Sequence, residues 1–190
     1  MTSRNQLILL IAFYLNCLAY QDDENILVVS NQYMYEHLAS QGFETYTPTV
    51  KKRKIIKGHA VIVEKPYIRD LFFIHATLSQ VKAIMTPYCH FQFRYRIGVS
   101  PATPIVVPCK EMDDFIRVNQ NSDSPEFISP DSIPSDVRNR KIRVVGGPLD
   151  GVQGMLKTVR GSKFKTLYVE LPGIMAVSAV SQFDFIQFDD

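Results

Sequence analysis

A glycine-rich segment at residues 141–159 constrains the fold more than any other part of the chain. Its sequence is KIRVVGGPLDGVQGMLKTV, in which two strand-like runs flank four glycines and one proline. Glycine permits a positive φ and proline fixes φ at the start of a turn, so we expect the backbone to bend sharply twice between two strands. This geometry is typical of a small, tightly curved β-barrel.

The composition argues against several classes of protein. The chain has 190 residues and a net charge of +2, which suits one or two domains without a strong overall field. Three cysteines without CxxC spacing argue against a disulfide framework and a zinc site, and they predict reduced thiols in the cytoplasm. The sequence shows no nucleophile–base pair, carboxylate dyad or phosphate-binding glycine loop, so we predict no enzyme, no cofactor and no metal.

The N-terminal residues have two interpretations. Arg4 precedes an apolar run at 7–15, and the small residues Cys17 and Ala19 resemble a cleavage site, as in a signal peptide covering residues 1–19. A continuous apolar run is also typical of a buried central strand. The run is too short to predict a membrane span.

Residues 22–118 alternate between strand and helix patterns, which predicts an α+β domain. A helix is expected from about Asp22 to Gly42, although Ile26–Val29 also fits a short strand. Further strands are predicted at 43–47, 67–74, 91–97 and 105–107, and helices at 78–85 and 108–118.

Residues 119–137 are rich in Asn, Ser, Asp and Pro and contain no basic residue, which predicts a linker. The linker would separate a domain at 1–118 from one at 138–190. Short strands with tight turns predict a five-stranded SH3-like barrel for the second domain.

Basic residues concentrate in two places. A run at 51–57 is either a solvated hairpin edge that discourages edge pairing or a surface that attracts phosphates. The strand predicted at 91–97 places Arg94 and Arg96 on its polar face.

Residues 142–154 resemble the KOW motif, roughly V-R-V-x-x-G-P-F-x-G-x-x-G, with matches at Gly147, Pro148, Gly151 and Gly154. The preceding part resembles the NGN domain of NusG-type transcription elongation factors. Residues 66–74 stand where that family has a P-x-x-P-G-Y-V-F-V strand, and Val107-Pro108 resembles the start of its last NGN helix.

Several departures from the family pattern indicate a specialised paralogue, similar to antiterminators that act on particular operons. The chain has no tryptophan, so Phe13-Tyr14 stands in place of the usual Trp-Tyr strand. Arg69-Asp70-Leu71 replaces Pro-Gly-Tyr.

The resemblance implies an α+β fold, in which an NGN-like α/β sandwich with an antiparallel sheet and flanking helices is linked to a five-stranded KOW barrel. It implies a cytoplasmic, monomeric factor, not bound to membranes, that docks on the clamp of RNA polymerase and promotes processive transcription. The residues implied in polymerase binding are Tyr14, Tyr67, Ile68, Leu71 and Phe73. The residues implied near upstream or non-template DNA are Lys51, Lys52, Arg53, Lys54, Lys57, Arg94 and Arg96.

The barrel would recruit a further partner, such as the ribosome or a termination factor. Two other functions stay open at this point. A ribosome-associated protein also carries a KOW motif, and a secreted SH3-like binding module would follow if residues 1–19 were a signal peptide.

Overall fold

The structure, a computed structural model, describes residues 6–12, 18–21, 27–30, 34–68, 71–86, 91–95, 100–101, 104–122, 124–138, 141–158, 160–182 and 185–188. Within these ranges it contains three α-helices and fifteen strands. The predicted α+β class is therefore confirmed, with more strand than helix.

The elements are short throughout. In the first part of the chain they are β1 (Gln6–Ala12), β2 (Leu18–Gln21), β3 (Leu27–Ser30), α1 (Met34–Ser40), β4 (Glu44–Tyr46), β5 (Thr49–Ile56), β6 (His59–Pro66), β7 (Leu71–Ala76), α2 (Leu78–Met85), β8 (Phe91–Phe93) and β9 (Val106–Val107). The rest are α3 (Cys109–Asn121), β10 (Glu126–Ile128), a 3-10 turn (Pro130–Ser132), β11 (Lys141–Val145), β12 (Gln153–Thr158), β13 (Lys165–Leu171), β14 (Met175–Ser181) and β15 (Phe185–Phe188).

The chain divides into two compact units. The first comprises Met1–Pro48 and Pro66–Pro108, and the second comprises Thr49–Lys65 and Cys109–Asp190. The helix α3 thus falls in the same unit as the C-terminal strands. The domain boundaries predicted at 118 and 138 stay a prediction.

The first unit is built on a five-stranded antiparallel sheet with β1 inside it. The order is β4-β7-β1-β8, and β9 also pairs with β1. The strand interpretation of the N-terminal apolar run therefore holds for residues 6–12. Residues 13–15 of that run lie outside the described residues.

The helices α1 and α2 cover one face of β7. Leu38 from α1 and Val81 and Ile84 from α2 pack with Phe72 and Ile74 in one buried cluster. The helix predicted at 78–85 is confirmed, and a capping box between Thr77 and Gln80 explains where it begins.

The helix predicted from Asp22 to Gly42 is shorter than expected. Strand β3 pairs with β2 as an antiparallel pair, and among the described residues the helix occupies Met34–Ser40. The β-branched pair Val28-Val29 suits a strand better than a helix, which is the alternative that the sequence left open.

The second unit contains a six-stranded antiparallel sheet in the order β10-β14-β13-β12-β11-β15. The sheet is an open path with β10 and β15 at its ends, and it does not close into the five-stranded barrel that was predicted. The additional strand comes from the segment predicted as a linker.

Residues 124–138 are packed rather than simply connecting. Strand β10 pairs with β14, and Ile133 and Val137 are buried in a cluster with Met155 and Ala176. These few apolar side chains supply enough burial to order a segment that is otherwise polar and rich in proline.

Helix α3 packs on the same sheet, against β13 and β14. Its apolar side chains Met112, Phe115 and Val118 are buried, and the rings of Phe115 and Phe127 lie 6.0 Å apart. Met112, Phe115 and Val118 are spaced three residues apart, which places them on one face of the helix.

Candidate partner and nucleic-acid surfaces

The residues predicted to bind polymerase fall into two groups of different exposure. Tyr67 and Ile68, which form a bend before β7, are 46% and 43% exposed. Leu71 and Phe73 are 5% and 0% exposed. Tyr14 lies outside the described residues.

Both faces of β7 are buried, because Leu71, Phe72, Phe73 and Ile74 are each at most 5% exposed. The ring of Phe73 lies 6.3 Å from that of Tyr46, and the Thr47 hydroxyl donates to the carbonyl of Leu71 at 2.9 Å. Leu71 and Phe73 therefore act as packing residues in this structure. Tyr67 precedes this strand, which begins at Leu71.

The basic run at 51–57 lies on a β-hairpin formed by β5 and β6. Its turn is Lys57-Gly58, where φ is +51° and +81°. Two successive positive φ values are the geometry of a type I′ turn, which matches the twist of a two-residue hairpin. The chain reverses here because glycine accepts this conformation without strain.

The cations of this hairpin are all exposed. Lys51, Lys52, Arg53 and Lys54 follow one another along β5, so they alternate between the two faces of the ribbon. Of the two arginines predicted near nucleic acid, Arg94 is exposed, and Arg96 lies outside the described residues.

The glycine-rich turn joins the neighbouring strands β11 and β12, as predicted. Gly146, Gly147 and Gly151 have φ values of +84°, +70° and +78°. The amide of Gly146 donates to the Asp150 carboxylate at 2.7 Å, and the amide of Gly151 donates to the Val144 carbonyl at 2.8 Å. Pro148 lies exposed within the turn.

Gly154 is required for a different reason. A Cβ on this residue would lie 2.5 Å from the carbonyl oxygen of Tyr168 and 2.9 Å from a methyl carbon of Leu167. Its φ is not in the left-handed region, so close approach of β13 excludes a side chain there.

A polar stripe of α3 holds this turn, and the sequence did not reveal it. Lys110 and Arg117 donate to the carbonyls of Gly151 and Pro148 at 3.1 and 2.9 Å. Between them, the buried carboxylate of Asp114 accepts from Lys110 at 2.6 Å and from the amide of Gln153 at 3.1 Å. The i, i+4, i+7 spacing is visible in the sequence, but the backbone partners are not.

A cavity of about 450 Å³ lies beside this stripe, lined among others by Glu111, Lys141 and Glu170. Burial raises the pKa of Glu111, and the nearby carboxylates of Glu170 and Asp114 raise it further, while Lys141 lowers it. Within the described residues, Oε2 of Glu111 is buried and accepts no hydrogen bond.

The comparisons with known proteins assign no family. The sequence matches no model of a known protein family, and a search of curated proteins returns no match.

Two further findings concern only the described part of the chain. It has no helix long and apolar enough to cross a membrane. It also has no group of three or more His, Cys, Asp or Glu side chains placed to hold a metal ion.

Proposed function

We propose that the chain is a NusG-like transcription elongation or antitermination factor, a binding protein without catalysis that serves particular operons. In this proposal an NGN-like first part docks on the RNA polymerase clamp, and a KOW-like second part recruits another partner, such as the ribosome or a termination factor. The protein would act in the cytoplasm as a monomer.

The observation that carries the proposal is the turn at Gly146–Gly154. Every glycine of the KOW-like pattern has its own structural reason, either a positive φ or the close approach of β13. The α+β first unit, with an antiparallel sheet and helices on one face, is consistent with an NGN-like domain.

The exposed pair Tyr67-Ile68 is the best candidate for the polymerase contact. Apolar and aromatic side chains that protrude together are typical anchors for a docked helix, and tyrosine is enriched among residues that dominate binding energy. Leu71 and Phe73 are buried in strand β7, so the proposed contact does not include them.

Retention of purified core RNA polymerase by the immobilised protein tests the proposal. We expect the wild type to retain polymerase, and a variant with Tyr67→Ala and Ile68→Asp to lose at least tenfold in retention. Because both side chains are exposed, the variant should keep the wild-type melting temperature. Val180→Asp, at an exposed apolar residue of β14, is the matched control and should retain polymerase.

Two outcomes would favour the alternatives. If the wild type ignores polymerase but retains ribosomes, the ribosome-associated function replaces the elongation factor. If mass spectrometry of the native protein finds a chain that starts at Tyr20, the secreted binding module is favoured instead.

A further inference from the structure

The hairpin β5–β6 concentrates positive charge more than any other described surface. Residues 49–66 contain six of the 21 Lys and Arg residues of the chain and only one of its 19 Asp and Glu residues. Since the net charge of the whole chain is only +2, the positive field is local to this ribbon.

The same ribbon also exposes apolar side chains near its tip. Ile55 and Ile62 are 73% and 71% exposed, and Ile56 and Val61 are exposed as well. If the ribbon exposed only cations, their role could be to discourage other strands from pairing with its free edges. That explanation does not account for isoleucines left in water among them, so the tip is suited to contact a partner that is both anionic and locally apolar.

We propose that this hairpin is a DNA-binding arm that enters the major groove of a duplex tip first. A two-stranded ribbon fits this groove, which is about 12 Å wide and about 8.5 Å deep. At about 3.3 Å per residue, that depth accommodates two to three residues of each strand behind the Lys57-Gly58 turn. Ile55, Ile56 and Val61 then lie among the base edges.

The four consecutive cations of β5 remain at the mouth of the groove in this arrangement. Since neighbouring residues of a strand point to opposite faces, Lys51 and Arg53 point to one side and Lys52 and Lys54 to the other. They can therefore reach phosphates on both walls of the groove. A flat anionic membrane would contact only one face of the ribbon, which is why duplex DNA is the better match.

The apolar tip gives the arm a chemical preference. Thymine presents a C5-methyl group in the major groove, and apolar side chains contact it favourably. Uracil lacks this methyl group but leaves the phosphates unchanged. Replacing thymine by deoxyuridine in the duplex therefore separates the contacts of the isoleucines from those of the cations.

The test is fluorescence anisotropy of a labelled 20-base-pair duplex with the full chain and without polymerase, so its outcome is independent of the proposed function. We expect log K to fall linearly with log salt concentration, with a slope of about −0.9 for each neutralised phosphate. Lys52→Gln with Lys54→Gln should reduce the slope by about two and weaken binding to all sequences alike.

Ile55→Ala with Ile56→Ala should weaken binding to a thymine-rich duplex three- to tenfold and leave the salt slope unchanged. The wild type should lose a similar factor on the deoxyuridine duplex, whereas the alanine variant should not distinguish the two duplexes. Arg160→Gln with Lys163→Gln, two exposed cations of the second unit, is the matched control and should bind like the wild type.

Three results would overturn the proposal. Equal affinity and slope for the lysine variant and the wild type would show that the arm is not engaged. Tighter binding to single-stranded DNA would exclude insertion into a duplex groove. Binding to vesicles containing phosphatidylserine, without binding to the duplex, would assign the ribbon to a membrane surface.

Discussion

Gly154 gives the sharpest prediction about stability, because its replacement meets backbone rather than a mobile side chain. A Cβ at this position would lie 2.5 Å from the Tyr168 carbonyl oxygen, 2.9 Å from Leu167 Cδ1 and 3.2 Å from Val169 Cγ2. The carbonyl belongs to β13, which pairs with both β12 and β14, so it cannot move without disturbing two ladders.

The expected cost of Gly154→Ala follows from two opposing effects. Overpacking of a well-packed site typically costs about 1–3 kcal/mol. The loss of glycine's freedom in the unfolded chain offsets about 0.4–1 kcal/mol. We expect a net destabilisation of about 1–2 kcal/mol, which corresponds to a fall in Tm of roughly 2–8 °C for a chain of this size.

Gly147 is the matched control, because a Cβ there would meet nothing within 4 Å but its φ is +70°. Asparagine tolerates the left-handed region better than alanine does. Gly147→Asn should therefore be more stable than Gly147→Ala. At Gly154 the order should be reversed, because the larger side chain must fit the same closed space.

Thermal and urea unfolding of the four variants measure these differences. The two sites must give opposite orders of alanine and asparagine if different physical constraints act on them. The same order at both sites, or a Gly154→Ala variant as stable as the wild type, would refute the argument from close approach.

Two further predictions concern the polar residues of α3. Asp114→Ala removes the carboxylate that accepts the part-buried hydrogen bond from the Gln153 amide and should cost about 1–3 kcal/mol in urea unfolding, whereas Lys110→Ala, at a half-exposed side chain, should cost less than about 1 kcal/mol. The raised pKa of Glu111 means that the native state binds a proton more tightly than the unfolded chain does, so stability falls as pH rises from the usual value of 4.5 through the native pKa. Glu111→Gln, which mimics the protonated form, should therefore raise Tm near pH 7 and lose this advantage below pH 4.5; a pH-independent change would contradict the assignment.

Local chemistry explains the parts of the fold that could be predicted from the sequence. The helix at 78–85 has a Thr-x-x-Gln cap and an apolar face within eight residues, so no distant contact is needed to recognise it. The turn at 146–151 is encoded by glycines that adopt positive φ. The basic run at 51–57 forms a hairpin, for which its Lys-Gly turn is the local signal, and its contact with phosphates stays a prediction.

Burial is hard to predict where it depends on residues far away in the chain. Leu71 and Phe73 were predicted to contact a partner on the assumption that one face of the strand is open. A continuous apolar run from 71 to 74 is the signal that both faces are covered. In residues 124–138, the polar composition outweighed Phe127, Ile133 and Val137, whose burial depends on strands β12 and β14.

The candidate surfaces were predictable to different degrees, because the exposure of some residues follows from their type and that of others depends on distant contacts. The exposed cations of 51–57 follow from their residue type, since charged side chains rarely lie buried without a partner. The exposure of Tyr67 and Ile68 required the structure, because an aromatic–aliphatic pair before a strand is equally compatible with a core. The exposure of the isoleucines at the hairpin tip does not follow from the sequence, since apolar residues in an alternating strand normally indicate a buried face.

The glycine-rich turn shows how a local motif can depend on distant residues. Its glycines determine the path of the backbone, but that path leaves the carbonyls of Pro148 and Gly151 and the amide of Gln153 pointing toward α3. Their partners are Arg117, Lys110 and Asp114, which lie 31, 41 and 39 residues earlier in the chain. The hydrogen bonds from Lys110 and Arg117 are exposed and the one between Asp114 and the Gln153 amide is part-buried, so Asp114 contributes most to the stabilisation of the turn by the helix. The motif is therefore recognisable from residues 142–154 alone, whereas its stability is a property of a unit that begins with α3.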